Sequence, residues 1–272
     1  MPVSEKPLEH IIRAMEPISL EEMDHVKLMR RRDTKFVIAA TQLPEILEQV
    51  KNNYRVLEIN GERIHTYQTM YYDTPSFEMY QNHHNRRLNR YKVRMRKYVE
   101  SELTFLEIKF KNNKRETIKK RIRPEQLNGG AISGEKSDLF LRTNSPYSSA
   151  MIGPALQNSF KRITIVHKTI PERITLDIDL NFTRIDGSLS RDLPAISVIE
   201  IKRDRDSASS DMATLLRNNK IQASGFSKYC MGTVLTNPEV KNNLFRKNII
   251  IMRVITDHLY FILYALIIRF IA

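Results

Sequence analysis

Cysteine is almost missing from this chain of 272 residues: Cys230 stands alone. That excludes an internal disulfide and fits a reducing cytoplasm, the expected location. The opening "MPVSEKPLEH" lacks an apolar run, so no secretory signal is expected. Long uninterrupted hydrophobic stretches are scarce as well. Ile249–Ala272 holds 19 apolar residues in 24, but Arg253, Asp257, His258 and Arg269 break it, and Leu259–Ile268 is too short to cross a bilayer alone. The expectation is a buried or amphipathic helix that docks on a membrane surface or a partner. The seven histidines form no ligand pattern; His83 and His84 are adjacent, face different directions and are expected at the surface. Few internal repeats or low-complexity segments occur. The Gly-and-aromatic pattern of a common sheet-based RNA reader is missing, which makes nucleic acid an unfavoured partner.

Positive charge, by contrast, is abundant. The formal net charge is +13, which points to a polyanionic partner: nucleic acid, an anionic membrane surface or a phosphorylated small molecule. The excess is concentrated. Between Arg86 and Arg123 there are 15 Lys or Arg and 4 Glu, a net of +11. Apolar residues alternate through this region, so it is not a disordered basic tail. In "RYKVRMRKY", Arg90, Lys92, Arg94 and Arg96 fall on one side, and Tyr91, Val93, Met95 and the stem of Lys97 on the other. Successive side chains of a strand point to opposite faces, so this is a strand with one cationic face. "FLEIKFK" sets Glu107, Lys109 and Lys111 against Leu106, Ile108 and Phe110, and "TIKKRIR" sets Lys119, Arg121 and Arg123 against Ile118 and Ile122. Turns around Glu100-Ser101 and Asn112-Asn113 would join these as antiparallel neighbours.

The same period continues downstream. Arg162 and Thr164 oppose Ile163 and Ile165, and Glu200 and Lys202 oppose Ile199 and Ile201. Arg173, Thr175, Asp177 and Asp179 oppose Ile174, Leu176, Ile178 and Leu180, while Lys35 near the start opposes Phe36 and Ile38. Helices are expected over Thr41–Asn53 with Thr41 as cap, over Pro75–His84 capped by Asp73 or Thr74, and over Ser209–Asn218. Asn128–Pro154, rich in Gly, Ser and Pro, is expected to be loop with a short helix.

Two architectures use so many half-charged strands. In a sandwich the charged faces meet bulk water. In a barrel they line a lumen and helices cover the apolar outside. A solvated face normally mixes signs, whereas these faces are nearly all Lys and Arg with isolated acids at Glu107, Asp177, Asp179 and Glu200. A cationic lumen with a few carboxylates suits a polyphosphate and its divalent metal.

"RRDTKFV", "YYDTPSFEMY", "YKVRMRKY", "LEIKFK", "KKRIR", "FKRITIVHK", "VIEIK" and "GFSKYCMG" occur here in an order that resembles the catalytic domain of the vacuolar transporter chaperone (VTC) family. These are polyphosphate polymerases among the triphosphate tunnel metalloenzymes. The resemblance spans roughly Met29 to Gly232. It implies an α+β fold built on an eight-stranded antiparallel tunnel of the CYTH-like type. It also implies transfer of the γ-phosphoryl group of ATP to a growing inorganic polyphosphate chain, with Mn²⁺ or Mg²⁺. Matched position by position, it implies catalytic roles for Lys35, Arg162 and Lys228. Triphosphate or polyphosphate contacts fall on Arg94, Arg96, Lys109, Lys119, Arg121 and Lys202, and a metal contact on Glu200. The corresponding division is an N-terminal segment 1–28, a tunnel domain 29–240 and an apolar C-terminal segment 241–272. Three departures stand out. Phe160 replaces a family tyrosine, Met29-Arg30-Arg31-Arg32 lacks a glutamate often found there, and Gly225 occupies a position often basic in relatives.

For single residues a plainer role competes with each of these. Arg94 and Arg96 could belong to a solvated face, Glu200 could pair with Lys202, and Asp177 and Asp179 could add to the metal site or equally pair with arginines. Cys230 reads as buried filler, and Tyr71 and Tyr72 as strand-core residues. Besides the polymerase, the same lumen would serve a tunnel hydrolase of triphosphate or polyphosphate, or a non-catalytic polyanion-binding module attached to a membrane partner.

Overall fold

The computed structural model describes residues 5–25, 31–128, 130–204 and 210–257. Its strands are β1 (Glu16–Ile18), β2 (Arg31–Ala39), β3 (Tyr54–Leu57), β4 (His65–Asp73), β5 (Arg90–Tyr98), β6 (Leu103–Lys111) and β7 (Thr117–Ile122). They continue as β8 (Gln126–Asn128), β9 (Ala131–Ser133), β10 (Gly153–His167), β11 (Glu172–Arg184), β12 (Ser190–Leu193) and β13 (Ile196–Asp204). The helices are α1 (Glu5–Ala14), α2 (Leu20–His25), α3 (Leu43–Val50), α4 (Glu78–His84), α5 (Glu135–Asn144), α6 (Asp211–Asn218) and α7 (Lys228–Thr236). Residues 246–257 are also helical.

Eight strands form one antiparallel path in the order β2-β13-β11-β10-β4-β5-β6-β7. The architecture is α+β, with the expected eight strands of a tunnel. No ladder joins the end strands β2 and β7 among the described residues, so the sheet curls without closing. β7 is exposed along nearly its whole length and carries Lys119, Lys120 and Arg121, the kind of charged edge that resists further strand pairing.

The period-2 pattern separates an outside from an inside. On the outside, Ile163, Ile165, Ile174, Leu176, Ile199 and Ile201 pack against α1, α3 and α6. Val93, Met95, Leu106 and Ile108 pack against Met79 of α4 and Leu141 of α5. On the inside, Val37, Leu156, Phe160, Leu180, Phe182 and Val198 pack against Tyr229, Cys230, Met231 and Val234 of α7. Helix α7 therefore closes one end of the curled sheet. Burial of this size is the main favourable term in such a fold.

Several local expectations are corrected. Thr41 lies in a 3₁₀ turn, Ala40–Gln42, and α3 begins after it with proline in its first turn. Phe77, with φ of 57°, takes the cap position of α4. Thr74 and Asp73 still satisfy its first amides, since Glu78 N donates to Thr74 Oγ1 and Met79 N and Tyr80 N donate to Asp73. Ser210 caps α6 by accepting from Ala213 N; Ser209 lies outside the described residues. The segment after Asn128 forms the hairpin β8–β9 and helix α5. His84 is buried rather than at the surface, accepting at Nε2 from Leu244 N, 3.3 Å away, with its ring beside Tyr80 and Phe245. Leu259–Ile268 lies outside the described residues, and among those described no helix is long and apolar enough to cross a membrane.

Candidate functional site

Strand register decides which charges meet. In the middle of the path Arg162 lies opposite Asp177, Glu200 opposite Lys35, Arg94 opposite Glu107, and Lys109 opposite both Lys92 and Lys119. The sheet curls far enough that Lys35 on β2 repels Lys92 on β5, and Glu200 on β13 attracts Lys109 on β6. One cationic interior results.

Three carboxylates anchor it, each bridging two cations. Glu200 accepts from Lys35 Nζ at 2.5 Å and from Lys202 Nζ at 2.8 Å. Asp177 holds Arg162 in a two-pronged pair, Nε to Oδ1 at 2.6 Å and a terminal nitrogen to Oδ2 at 2.8 Å, and also pairs with Lys228. Glu107, fully buried, takes Arg94 Nε at 2.7 Å and pairs with Lys119. Burial alone would raise the pKa of each acid, yet all three are lowered because the neighbouring cations outweigh it. Glu107 falls to about 2 through Arg94, Arg96 and Lys119.

The cations outnumber these anions, and the excess is visible in their own titration. Burial brings Lys202 down to about 8 and Lys228 to about 7, with Arg162 adding repulsion to both. Burial, then Arg94 and Arg162, lowers Arg96 to about 10. Lys109 is lowered well below its ordinary value, first by Arg94 and then by burial. Arg96 is buried, and its Nε has no hydrogen-bond partner among the described residues. Its guanidinium rests 5.4 Å from the centroid of Tyr67, which stacks on Phe160 at 5.2 Å. Arg162 and Lys228 also lie over Phe160, at 5.2 Å and 4.2 Å. Phe160 is thus an aromatic floor for three cations, and the family hydroxyl it lacks is not needed for that.

Of the positions singled out from sequence, Lys35, Arg94, Arg96, Lys109, Lys119, Arg162, Lys202, Lys228 and Glu200 share this interior. Arg121 sits on the exposed edge strand, its guanidinium 4.6 Å from the centroid of Phe105. Asp179 does not join Asp177. The register shifts between Ser159 and Lys161, Asp179 takes φ of 50°, and its carboxylate pairs with Lys161 at 3.2 Å. This bulge reverses the parity that alternation alone would carry forward. Glu107 and Lys92 carry no site role in the sequence pattern, and Asp177 is there only a candidate addition to the metal site. All three were visible as charged-face residues, but their partners lie on other strands.

A divalent metal has limited protein ligands here. Among the described residues no group of three or more His, Cys, Asp or Glu could hold one. Glu200 fits as a single carboxylate in a site completed by phosphate oxygens and water, a mode common for Mg²⁺-type ions. It does not fit an all-protein cage.

The profile of the VTC domain matches residues 30–237 of this sequence. The chain belongs to the VTC domain family. No curated protein matches it in sequence. Among solved structures, this VTC domain resembles a candidate adenylate cyclase from Vibrio parahaemolyticus at 12% identity, covering 75% of this chain and 99% of that one, with a TM-score of 0.44. A candidate adenylate cyclase from Bacillus halodurans is similar at 14% identity over 73% and 96% of the two chains, with a TM-score of 0.45. A Hippeastrum protein whose dominant activity is given as triphosphatase is similar at 13% identity over 76% and 97%, with a TM-score of 0.46.

Proposed function

We propose that this VTC domain is a polyphosphate polymerase that moves the γ-phosphoryl group of ATP to the end of an inorganic polyphosphate chain. The observation that carries the reading is the cationic interior. Its three carboxylates are each already bridged by two cations, and among the described residues Arg96, Lys92 and Lys109 have no carboxylate partner. Such a surplus suits a ligand that brings several negative charges in a row. Phosphoryl transfer through a loose transition state asks for positioning and charge neutralisation rather than covalent chemistry. Arg162 and Lys228, oriented by Asp177, would hold equatorial phosphate oxygens; Arg96 and Lys109 would neutralise charge along the chain. Lys35 and Lys202 flank Glu200, which would hold Mn²⁺ or Mg²⁺ together with phosphate oxygens. Bound metal would supply further neutralisation of the phosphates.

The test is incubation with ATP and Mn²⁺ followed by a gel for long anionic polymer. Polymer supports the polymerase. Free phosphate without polymer would make the same interior a triphosphatase or polyphosphatase, and neither product would leave a polyanion-binding module.

A further inference from the structure

Lys92 was not among the residues matched from the family, yet it points into the interior at its closed end. Its ammonium donates to Ser227 Oγ at 2.9 Å, and Ser227 caps α7, the helix that closes that end. Across the β5–β6 ladder it lies directly opposite Lys109. Neither lysine has a carboxylate within hydrogen-bonding distance among the described residues, whereas Glu107, Asp177 and Glu200 are each occupied twice. Like charges directly opposed on a ladder are destabilising, and burial adds to the cost. Burial brings Lys92 down to about 8, with Lys35, Arg90 and Arg94 adding repulsion. The bond to Ser227 ties Lys92 to the α7 cap but supplies no counter-charge for the pair. An anion does.

We propose that Lys92 and Lys109 form a seat for the terminal phosphate of a phosphate chain at the closed end of the interior. The inference rests on the phosphate-chain reading above and adds the polarity of the bound chain. An internal phosphate of a linear chain carries one negative charge. A terminal one carries close to two near neutral pH, its second ionisation lying near pH 6. Two unneutralised ammonium groups side by side match that dianion, and α7 blocks passage beyond them. The chain end is held at the helix, and the rest of the chain runs past Arg94 and Arg96 towards the open end.

The probes are linear inorganic triphosphate, which has two ends, and cyclic trimetaphosphate, in which every phosphate is internal. Affinities are measured by calorimetry on the full chain without metal, alongside thermal melting. The wild-type protein should prefer the linear ligand. Lys92→Met should weaken linear triphosphate roughly tenfold or more, as expected for loss of one charge-assisted contact, leave trimetaphosphate nearly unchanged, and not lower the melting temperature. Should that variant fail to fold, Lys109→Met, which breaks no hydrogen bond among the described residues, is read by the same comparison. Equal weakening of both ligands would overturn the chain-end seat, as would a melting loss with unchanged affinities, which would make Lys92 a clamp on the α7 cap. Arg96→Ala separates the two readings. If it weakens both ligands while Lys92→Met affects neither, the interior binds phosphate chains and only the seat is wrong; if wild-type protein binds neither ligand, both fall.

Discussion

Arg96 and Glu200 show how differently two charged residues of one interior should respond to substitution. Arg94 is held by Glu107, so removing it would leave a buried carboxylate short of a partner; Arg96 has no such tie among the described residues. Arg96→Ala should therefore keep or raise the melting temperature while triphosphate affinity falls roughly tenfold or more, the scale of one lost charge-assisted contact. Titration calorimetry with parallel melting checks both. In Glu200→Gln two lysines lose their shared counter-ion, and Lys35 is one-third exposed, so a loss of about 1–3 kcal/mol is expected after allowing for solvent screening. If Glu200 also holds the metal, the Mn²⁺ dependence of turnover should move to higher concentration. A melting loss with an unshifted Mn²⁺ requirement would leave it a counter-ion only.

Protons give a further residue-scale expectation. Lys92, Lys202 and Lys228 fall to about 8, 8 and 7 in the free protein, below the usual 10.5. Between about pH 8 and 10 the unfolded chain binds more protons than the folded one, so stability of the free protein should rise with pH there. A bound polyanion favours the charged lysines, so triphosphate binding at pH 8 should take up protons and weaken as pH rises. Calorimetry in buffers of different ionisation enthalpy measures the uptake; release of protons instead would contradict this account. On the acid side the slope has the same sign, because there too the unfolded chain binds more protons than the folded one. Glu107 at about 2 contributes stability present above its ordinary 4.5 and lost as pH falls towards 2.

At the scale of elements, α7 carries more than its nine residues suggest. Gly232 faces the sheet so closely that an added Cβ would meet Phe182 at 2.4 Å and Leu156 at 2.5 Å. Alanine is the better helix former by roughly 1 kcal/mol. Overpacking typically costs about 1–3 kcal/mol, so Gly232→Ala should lower stability in a denaturant titration. A neutral or stabilising result would mean that the helix shifts outward without loss. The strands themselves were legible wherever one face is apolar: β5, β6 and β7 span the stretches that alternation marks, and the turns fall where expected. The bulge at Asp179, where β11 takes one residue more than β10 between Ser159 and Lys161, was not, because the apolar alternation of β11 runs unbroken through it. The caps of α3 and α4 moved for a related reason: turn geometry decided which residue starts the helix.

For the whole molecule, the surplus of charge becomes a binding property only because the sheet curls. A flat sheet with these faces would bind polyanions loosely and from any direction; the curled one gathers Lys35, Arg94, Arg162 and Lys228 around one axis. Affinity for long-chain polyphosphate should then fall steeply with added salt, and Arg96→Ala should weaken it at every salt concentration. A salt response unchanged between wild type and variant, with equal affinities, would point to exposed lysines such as Lys120 as the binding surface. The helix at residues 246–257 buries Met252 against the inner cluster and leaves Ile250 and Val254 exposed.

The sequence by itself determined the strands and their cationic faces, the family, and most of the residues that share the interior, because side-chain parity along a strand is a local property. Only the tertiary structure decided who pairs with whom. Asp177 holds Arg162 and Lys228, Glu107 holds Arg94 and Lys119, Asp179 is turned away, and Lys92 is left facing Lys109. Those outcomes depend on strand register, a bulge and the placement of α7. Each is set by packing between segments far apart in the chain, and a local pattern carries no information about that.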